Sequence, residues 1–165
     1  MLETYLKVLD LDYFEVTEAF KGLADENVWK RPAAGLLSVG ELAGHIAYWE
    51  SIRFAGEGRD LAKCKVQGPL IDERFAYYPT TLVTQPSKDH LALGSEQVCR
   101  ELLRVHEETV AHLRTLNPAL ESVVPGWSPH WTYDESLKYT TFHVAYHTGQ
   151  MYSVRHLLGE ETPDN

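Results

Sequence analysis

The sequence predicts an all-α fold, a four-helix bundle with a long connection between its second and third helices. Three observations predict this fold class. Four segments repeat apolar residues at alternating spacings of three and four, the period of an amphipathic helix. Two of these segments open with capping boxes, at Ser38 and Thr132. Residues 59–94, between the second and third segments, carry repeated Gly and Pro turn signals. Four such helices bury their apolar stripes against one another.

The composition is that of an ordinary globular protein. Its 165 residues, 44% of them hydrophobic, suit a single domain spanning residues 1–165. The net charge of −9 argues against nucleic acid or an anionic membrane surface as partners, because both require clustered Lys and Arg. No apolar run approaches the roughly 20 residues of a membrane span, and no signal pattern opens the chain. We therefore expect a cytoplasmic protein.

Helix one is predicted over residues 2–23, whose apolar stripe starts at Leu2 and ends at Leu23. Helix two should begin at the Ser38–Glu41 capping box and end at Gly56–Gly58. Its inward stripe carries His45, between Leu42 and Trp49. Glu41 and Glu50 flank this stripe, and we interpret them as solvated charges. The alternative is that one of them accepts a hydrogen bond from an imidazole N–H.

The connection over residues 59–94 is long for a compact domain, so it should contain short helices or serve the function. Arg74, Tyr77 and Tyr78 are candidate substrate-binding residues there. An Arg binds an acidic group through two parallel hydrogen bonds, and a Tyr offers its hydroxyl or its ring face. Packing on the bundle surface is the alternative interpretation for all three.

Helix three is predicted from Ser95 to Asn117–Pro118, with His106 on a boundary or solvent face. Helix four is predicted from the Thr132–Glu135 capping box to Gly159. Its inward stripe is unusually polar and consists of Ser136, Thr140, His143, His147, Gln150, Val154 and Leu157. Each polar group on such a stripe needs a partner, and a bound metal would supply one.

His45, His143 and His147 are therefore the candidate metal ligands. His143 and His147 are four residues apart on one helix face, and His45 points inward from another helix. The alternative is that they are hydrogen-bonded core histidines. Three imidazoles with an open position typify a catalytic centre, and Zn²⁺ and Ni²⁺ are the best candidates, with Fe²⁺ also compatible. A zinc peptidase is disfavoured because Val144 stands where His-Glu-x-x-His has its general base.

The chain resembles the DinB/YfiT-like family of metal-dependent enzymes over essentially its whole length. The resemblance rests on Trp29-Lys-Arg-Pro32 followed by Leu37-Ser-Val-Gly-Glu-Leu-Ala-Gly-His45, on His143-Val-Ala-Tyr-His147-Thr-Gly-Gln150, and on the order of the helices. It implies an up-down-down-up bundle, a divalent metal on His45, His143 and His147, and a homodimer. The family includes thiol-dependent transferases. In its mycothiol-dependent maleylpyruvate isomerase branch a Glu replaces the first helix-four His, and His143 departs from that pattern.

Two functions from different classes follow. The first is a metal-dependent enzyme that transfers a low-molecular-weight thiol to a small electrophile or performs metal-assisted hydrolysis. The second is a non-catalytic bundle that binds a metal or small molecule, for example a stress protein. Metal-dependent turnover with a thiol and an electrophile would distinguish the enzyme from the binder.

Overall fold

The computed structural model describes residues 1–58, 60–77, 85–126 and 131–163. These residues form six α-helices and no strand, which confirms the predicted all-α class. The helices are α1 (Leu2–Phe20), α2 (Asp25–Val28), α3 (Val39–Phe54), α4 (Lys88–Leu91), α5 (Ser95–Leu116) and α6 (Tyr133–Leu157). The four long helices, α1, α3, α5 and α6, are the four predicted from periodicity. None of the helices in the described ranges combines the length and the apolar character that crossing a bilayer would demand.

The long helices pack as a ring in which α1 and α3 each contact both α5 and α6. Contacts near the helix ends fix the direction of α1 relative to α6. Tyr5 donates to Asp134 where both helices begin, and Arg155 donates to the Ala19 carbonyl, 2.9 Å away, where both end. The helices α1 and α6 therefore run parallel.

The other two long helices run the opposite way. Arg114, near the end of α5, donates to Glu3 at the start of α1, with Nε 3.1 Å from Oε1. Arg53, near the end of α3, donates to Thr140 in the first half of α6 at 2.9 Å. The contacts thus give the up-down-down-up order that the resemblance implied.

Both predicted capping boxes are present. The Ser38 hydroxyl accepts from the Glu41 amide at 3.2 Å, and the Glu41 carboxylate accepts from the Ser38 amide at 2.8 Å. Thr132 and Glu135 repeat the arrangement at 3.2 and 2.8 Å. These reciprocal bonds satisfy backbone donors that the first turn leaves unpaired, so α3 and α6 begin where the sequence predicts.

Helix α3 is buried along its whole length. Two of its glycines allow aromatic rings to rest on the helix backbone. A Cβ on Gly40 would lie 2.6 Å from the Trp29 ring, and one on Gly44 would lie 2.5 Å from Phe75. Phe75 belongs to the 3₁₀ turn Glu73–Phe75 in the long connection, which also contains the 3₁₀ turn Leu61–Lys63 and α4. Because Gly44 has no side chain, this connection can lie directly against the helix that carries His45.

The segment before α6 meets the end of α3 through two glycines. Gly58 and Gly126 have φ of +70° and +69°, and a Cβ on Gly126 would lie 2.4 Å from the Gly58 amide nitrogen. Positive φ and this close approach both favour glycine. The contact holds the entry to α6 against the C-terminal end of α3.

Candidate metal centre

His45 from α3 and His143 and His147 from α6 converge on one point. Their ring centroids are 5.0 Å (His45–His143), 4.7 Å (His45–His147) and 4.4 Å (His143–His147) apart. One nitrogen from each ring lies within 4.8 Å of the other two. His45 and His143 are buried and His147 is half-buried. The structure therefore brings together the three residues predicted as metal ligands.

Hydrogen bonds on the far side of two rings orient their free nitrogens toward this point. His45 Nδ1 lies 2.8 Å from the Phe75 carbonyl oxygen, which can only accept, so Nδ1 carries the proton. His147 Nδ1 donates in the same way to Gln150 Oε1 at 2.6 Å. The Gln150 amide is itself oriented by donating to the Tyr146 hydroxyl at 3.1 Å. Both imidazoles therefore keep the Nε2 lone pair for a ligand.

All three imidazoles are held in the neutral form. Burial, with the neighbouring His147, lowers the pKa of His45 from 6.5 to about 4. Burial, with His147, His45 and Arg53, lowers the pKa of His143 from 6.5 to about 2. The pKa of His147 is lowered by burial, against the opposing hydrogen bond to Gln150. Neutral imidazole is the form that coordinates a metal, because protonation removes the lone pair.

The donor set fits a divalent transition metal. Three neutral imidazole nitrogens on two helices, with two tautomers fixed from outside, match the ligands that Zn²⁺ and Ni²⁺ accept. Three protein ligands also leave a coordination position for water or substrate.

Aromatic rings surround the three histidines. The Trp49 ring meets His45 edge-on at 6.3 Å, and the Tyr77 ring lies 6.2 Å from His45 at 30°. The Tyr139 ring stacks on His143 at 5.7 Å. These apolar faces restrict water around the rings, which strengthens electrostatic interactions inside the site.

Glu41 is a fully buried anchor beside this site and not the solvated charge that we expected. Its carboxylate accepts from Arg31 Nε at 3.0 and 3.1 Å and forms an ion pair with the same guanidinium. It also accepts from the Tyr77 hydroxyl at 3.1 Å, which helps to hold the Tyr77 ring near His45. The interpretation was wrong because its partners, Arg31 and Tyr77, lie outside α3.

Arg53 brings a positive charge close to the histidines. It is 4% exposed, and Nη1 donates to the Thr140 hydroxyl at 2.9 Å. Its Cζ lies 4.8 Å from the centroid of Tyr139 and 5.4 Å from that of Trp131. Arg53 was not predicted as a site residue, although His45, Trp49 and Arg53 follow one another at a spacing of four on α3.

The candidate substrate-binding residues have different surroundings. Tyr77 is buried beside His45, as described above. Arg74 pairs with Asp72, with Nη1 2.6 Å from Oδ2, and it lines a shallow depression whose other lining residues are Leu61, Ile71, Asp72 and Glu73. Tyr78 lies outside the described residues. Substrate binding by these three residues stays a prediction.

A second buried polar cluster joins α1, α3 and α5. Glu50 accepts from the Tyr13 hydroxyl at 2.6 Å and lies 2.7 Å from His106 Nδ1. The rings of Tyr13 and His106 stack at 3.6 Å. His106 is 5% exposed and Glu50 is 2% exposed, so assigning His106 to a boundary or solvent face and Glu50 to solvent was wrong. The residues are far apart in the chain, and helix periodicity does not reveal such partners.

The geometry agrees with the comparison to known proteins. No curated protein and no solved structure matches the chain. A family model described as the DinB superfamily matches residues 9–151, a range that includes all three histidines. The chain therefore belongs to the DinB superfamily.

Proposed function

We propose that this protein is a metal-dependent enzyme whose divalent ion is held by His45, His143 and His147. The convergence of three neutral imidazoles, two of them with fixed tautomers, is the observation that carries this proposal. Membership of the DinB superfamily supports it. Zn²⁺ and Ni²⁺ are the preferred ions because both accept imidazole nitrogen.

The chain's own residues have distinct roles in this proposal. Phe75 and Gln150 keep the protons of His45 and His147 on Nδ1, so both rings stay oriented for binding. Tyr77 and Tyr139 shield the site from bulk water. A divalent ion held there would act as a Lewis acid and lower the pKa of a water or thiol at its open position.

Transfer of a low-molecular-weight thiol to a small electrophile is the reaction that we favour, and metal-assisted hydrolysis is the second. The three ligands are neutral, so the site as a whole favours an anionic group such as a thiolate at the open position. Hydrolysis would have to ionise water, a much weaker acid than a thiol, and Val144 occupies the place of the glutamate that assists in the peptidase motif. A thiol, whose ordinary pKa is about 8.5, needs less help from a metal to become the nucleophilic thiolate.

Metal titration of the His45→Ala protein tests the site. We expect the substitution to weaken zinc and nickel binding by more than about 100-fold, since it removes a direct ligand and not merely an outer partner. His112→Ala on α5 is the matched control and should bind metal like the parent. Parental metal affinity in the His45→Ala protein would overturn the proposal.

Turnover distinguishes the enzyme from a binder. The metal-loaded protein should accelerate the reaction of a small thiol, such as cysteine, with a fluorogenic alkylating agent, and chelation should abolish the acceleration. Tight metal binding without turnover of thiols or ester substrates would favour the non-catalytic binding protein.

A further inference from the structure

Two residues of the long connection attach to α3 at points one helical turn apart. The Phe75 carbonyl oxygen accepts from His45 Nδ1 at 2.8 Å, and the Tyr77 hydroxyl donates to Glu41 Oε1 at 3.1 Å. Glu41 and His45 are four residues apart on α3, so they lie on one face of the helix. Phe75 is fully buried and Tyr77 is 8% exposed. The segment from Phe75 to Tyr77 is therefore held against α3 at both of its ends.

Glu41 is a rigid acceptor for the Tyr77 hydroxyl. Its carboxylate accepts from the Ser38 amide at 2.8 Å and from the Ser38 hydroxyl at 2.9 Å. Arg31 Nε donates to both carboxylate oxygens, at 3.0 and 3.1 Å. A carboxylate that accepts this many hydrogen bonds has little freedom to move, and a hydrogen bond to an ionised acceptor is stronger than one to a neutral group. The Tyr77 hydroxyl therefore has a fixed, charged partner.

The tautomer of His45 depends on where the Phe75 carbonyl lies. A neutral imidazole carries its proton on one of two nitrogens, and the hydrogen bond of one nitrogen decides the role of the other. While Nδ1 donates to Phe75, Nε2 of His45 keeps the lone pair. A carbonyl displaced from Nδ1 would no longer select this form. The contact that fixes the segment at Tyr77 therefore acts on the lone pair that His45 offers to a metal.

We propose that Glu41 is a positioning residue that acts through Tyr77 and the Phe75 carbonyl to keep the proton of His45 on Nδ1. The inference rests on the proposed function and adds to it a residue that reaches the metal ligands through the connection. The residue that caps α3 is then also the residue that anchors the connection one turn before His45.

Tyr77→Phe tests the inference, because it removes the hydroxyl and keeps the ring. Nitrogen-15 NMR of histidine-labelled, metal-free protein at neutral pH shows which ring nitrogen carries the proton, and the His45→Ala spectrum identifies the His45 signals. The parent should carry the His45 proton on Nδ1, and Tyr77→Phe should move a measurable share of it to Nε2. Zinc affinity should fall at least about tenfold in the same variant, since losing an outer partner of a ligand typically costs about 10- to 100-fold.

Glu41→Gln is the second variant, and it should shift both quantities in the same direction. A glutamine suits the capping box as a glutamate does, so α3 keeps its start. Its neutral oxygen accepts more weakly from the Tyr77 hydroxyl. If Glu41→Gln does not fold, because Arg31 loses its ion pair, Tyr77→Phe decides alone.

Tyr13→Phe is the matched control, because Tyr13 also donates from a buried hydroxyl to a buried glutamate of α3, Glu50, at 2.6 Å. Both Phe variants should lower the melting temperature, since each leaves a buried acceptor with one partner fewer. Only Tyr77→Phe should change the His45 tautomer and the zinc affinity. Equal changes in Tyr13→Phe would overturn the inference, because Glu41 would then support the bundle as a whole and not His45.

The two readouts separate this inference from the proposed function, because the tautomer is measured without metal. A parent that binds no zinc, but whose His45 proton leaves Nδ1 in Tyr77→Phe, would refute the metal centre alone. A parent that binds zinc, with a tautomer or an affinity that Tyr77→Phe leaves unchanged, would refute the positioning role of Glu41 alone.

Discussion

Individual imidazoles couple the candidate metal centre to pH. His45 and His143 are buried, and burial holds the pKa of each well below 6.5, to about 4 and about 2. In the unfolded chain both titrate near their ordinary pKa of about 6.5. As the pH falls below that value, the unfolded state binds protons that the folded state does not bind, so acid favours unfolding.

We predict that the metal-free protein loses stability as the pH falls from about 6.5 toward 4. Each such histidine contributes about 1.4 kcal/mol per pH unit across this window. His143→Gln should flatten this dependence, and His112→Gln should leave it in place. Thermal melting at a series of pH values measures the effect, and equal acid sensitivity in the parent and His143→Gln would contradict it.

His106 makes the stability depend on pH in the opposite direction. Its effect must therefore be separated from that of His45 and His143 in the melting experiment. Glu50 and Asp10 raise the pKa of His106, and burial opposes them. Its contribution to stability is present below about 6.5 and is lost as the pH rises through its folded pKa.

The effects of His106 and of the two buried histidines fall mainly on different sides of 6.5. Burial and the nearby Glu50 also raise the pKa of Asp12 to about 6, which opposes acid destabilisation between about pH 6 and 4. The difference between the parent and His143→Gln, and not the acid limb itself, therefore reports on the candidate metal centre.

At the scale of elements, α3 positions the site through its glycines, whose missing side chains allow close packing. The Phe75 ring rests against Gly44, and the Phe75 carbonyl fixes the tautomer of the adjacent His45. A glycine inside a helix normally costs about 0.5–1 kcal/mol relative to alanine, so its presence here reflects packing.

We predict that Gly44→Ala destabilises the protein and weakens metal binding. The new Cβ would lie 2.5 Å from the Phe75 ring, which must move and take the His45 partner with it. Gly149→Ala on α6 is the matched control, because no atom of the described residues lies within 4 Å of its Cβ position. The control should gain roughly 0.5–1 kcal/mol from helix propensity alone. Denaturant titration and metal affinity test both, and a Gly44→Ala protein that behaves like the control would contradict the account.

The elements themselves were largely predictable from the sequence. Local signals such as the Ser38 and Thr132 capping boxes place the starts of α3 and α6 at the next residue. The first helix was predicted to Leu23 but ends at Phe20, since Gly22 adopts a φ of +74°. The short helices α2 and α4 were not predicted individually because four residues span too little sequence for a periodic pattern.

At the scale of the molecule, the histidines join helices that are distant in the chain. The convergence of His45, His143 and His147 was predictable because each lies on the inward stripe of a helix. Glu41, Arg53 and His106 were not, since their burial depends on partners from other parts of the fold. Helix periodicity identifies a face, but it does not identify which residue of another helix meets that face.

We predict that chelation lowers the melting temperature, because a metal bound by both α3 and α6 stabilises only the folded arrangement. With free metal at about a hundredfold over its dissociation constant, linkage gives about 2.7 kcal/mol, or roughly 5–10 °C for a chain of this size. The His147→Ala protein should melt at the same temperature with and without chelator. A parent whose melting is unchanged after verified metal removal would exclude a stabilising centre.

The edge-on contact between Trp49 and His45 gives the protein an optical reporter of its own. Indole emission responds to the charge and electronic structure of whatever lies against the ring. A closed-shell ion such as Zn²⁺ leaves the excited state largely intact, whereas Ni²⁺, with unpaired d electrons, opens a route for quenching. The chain has four tryptophans, so the Trp49→Phe protein provides the reference. Ni²⁺ should quench the part of the emission that this substitution removes, and Zn²⁺ should not.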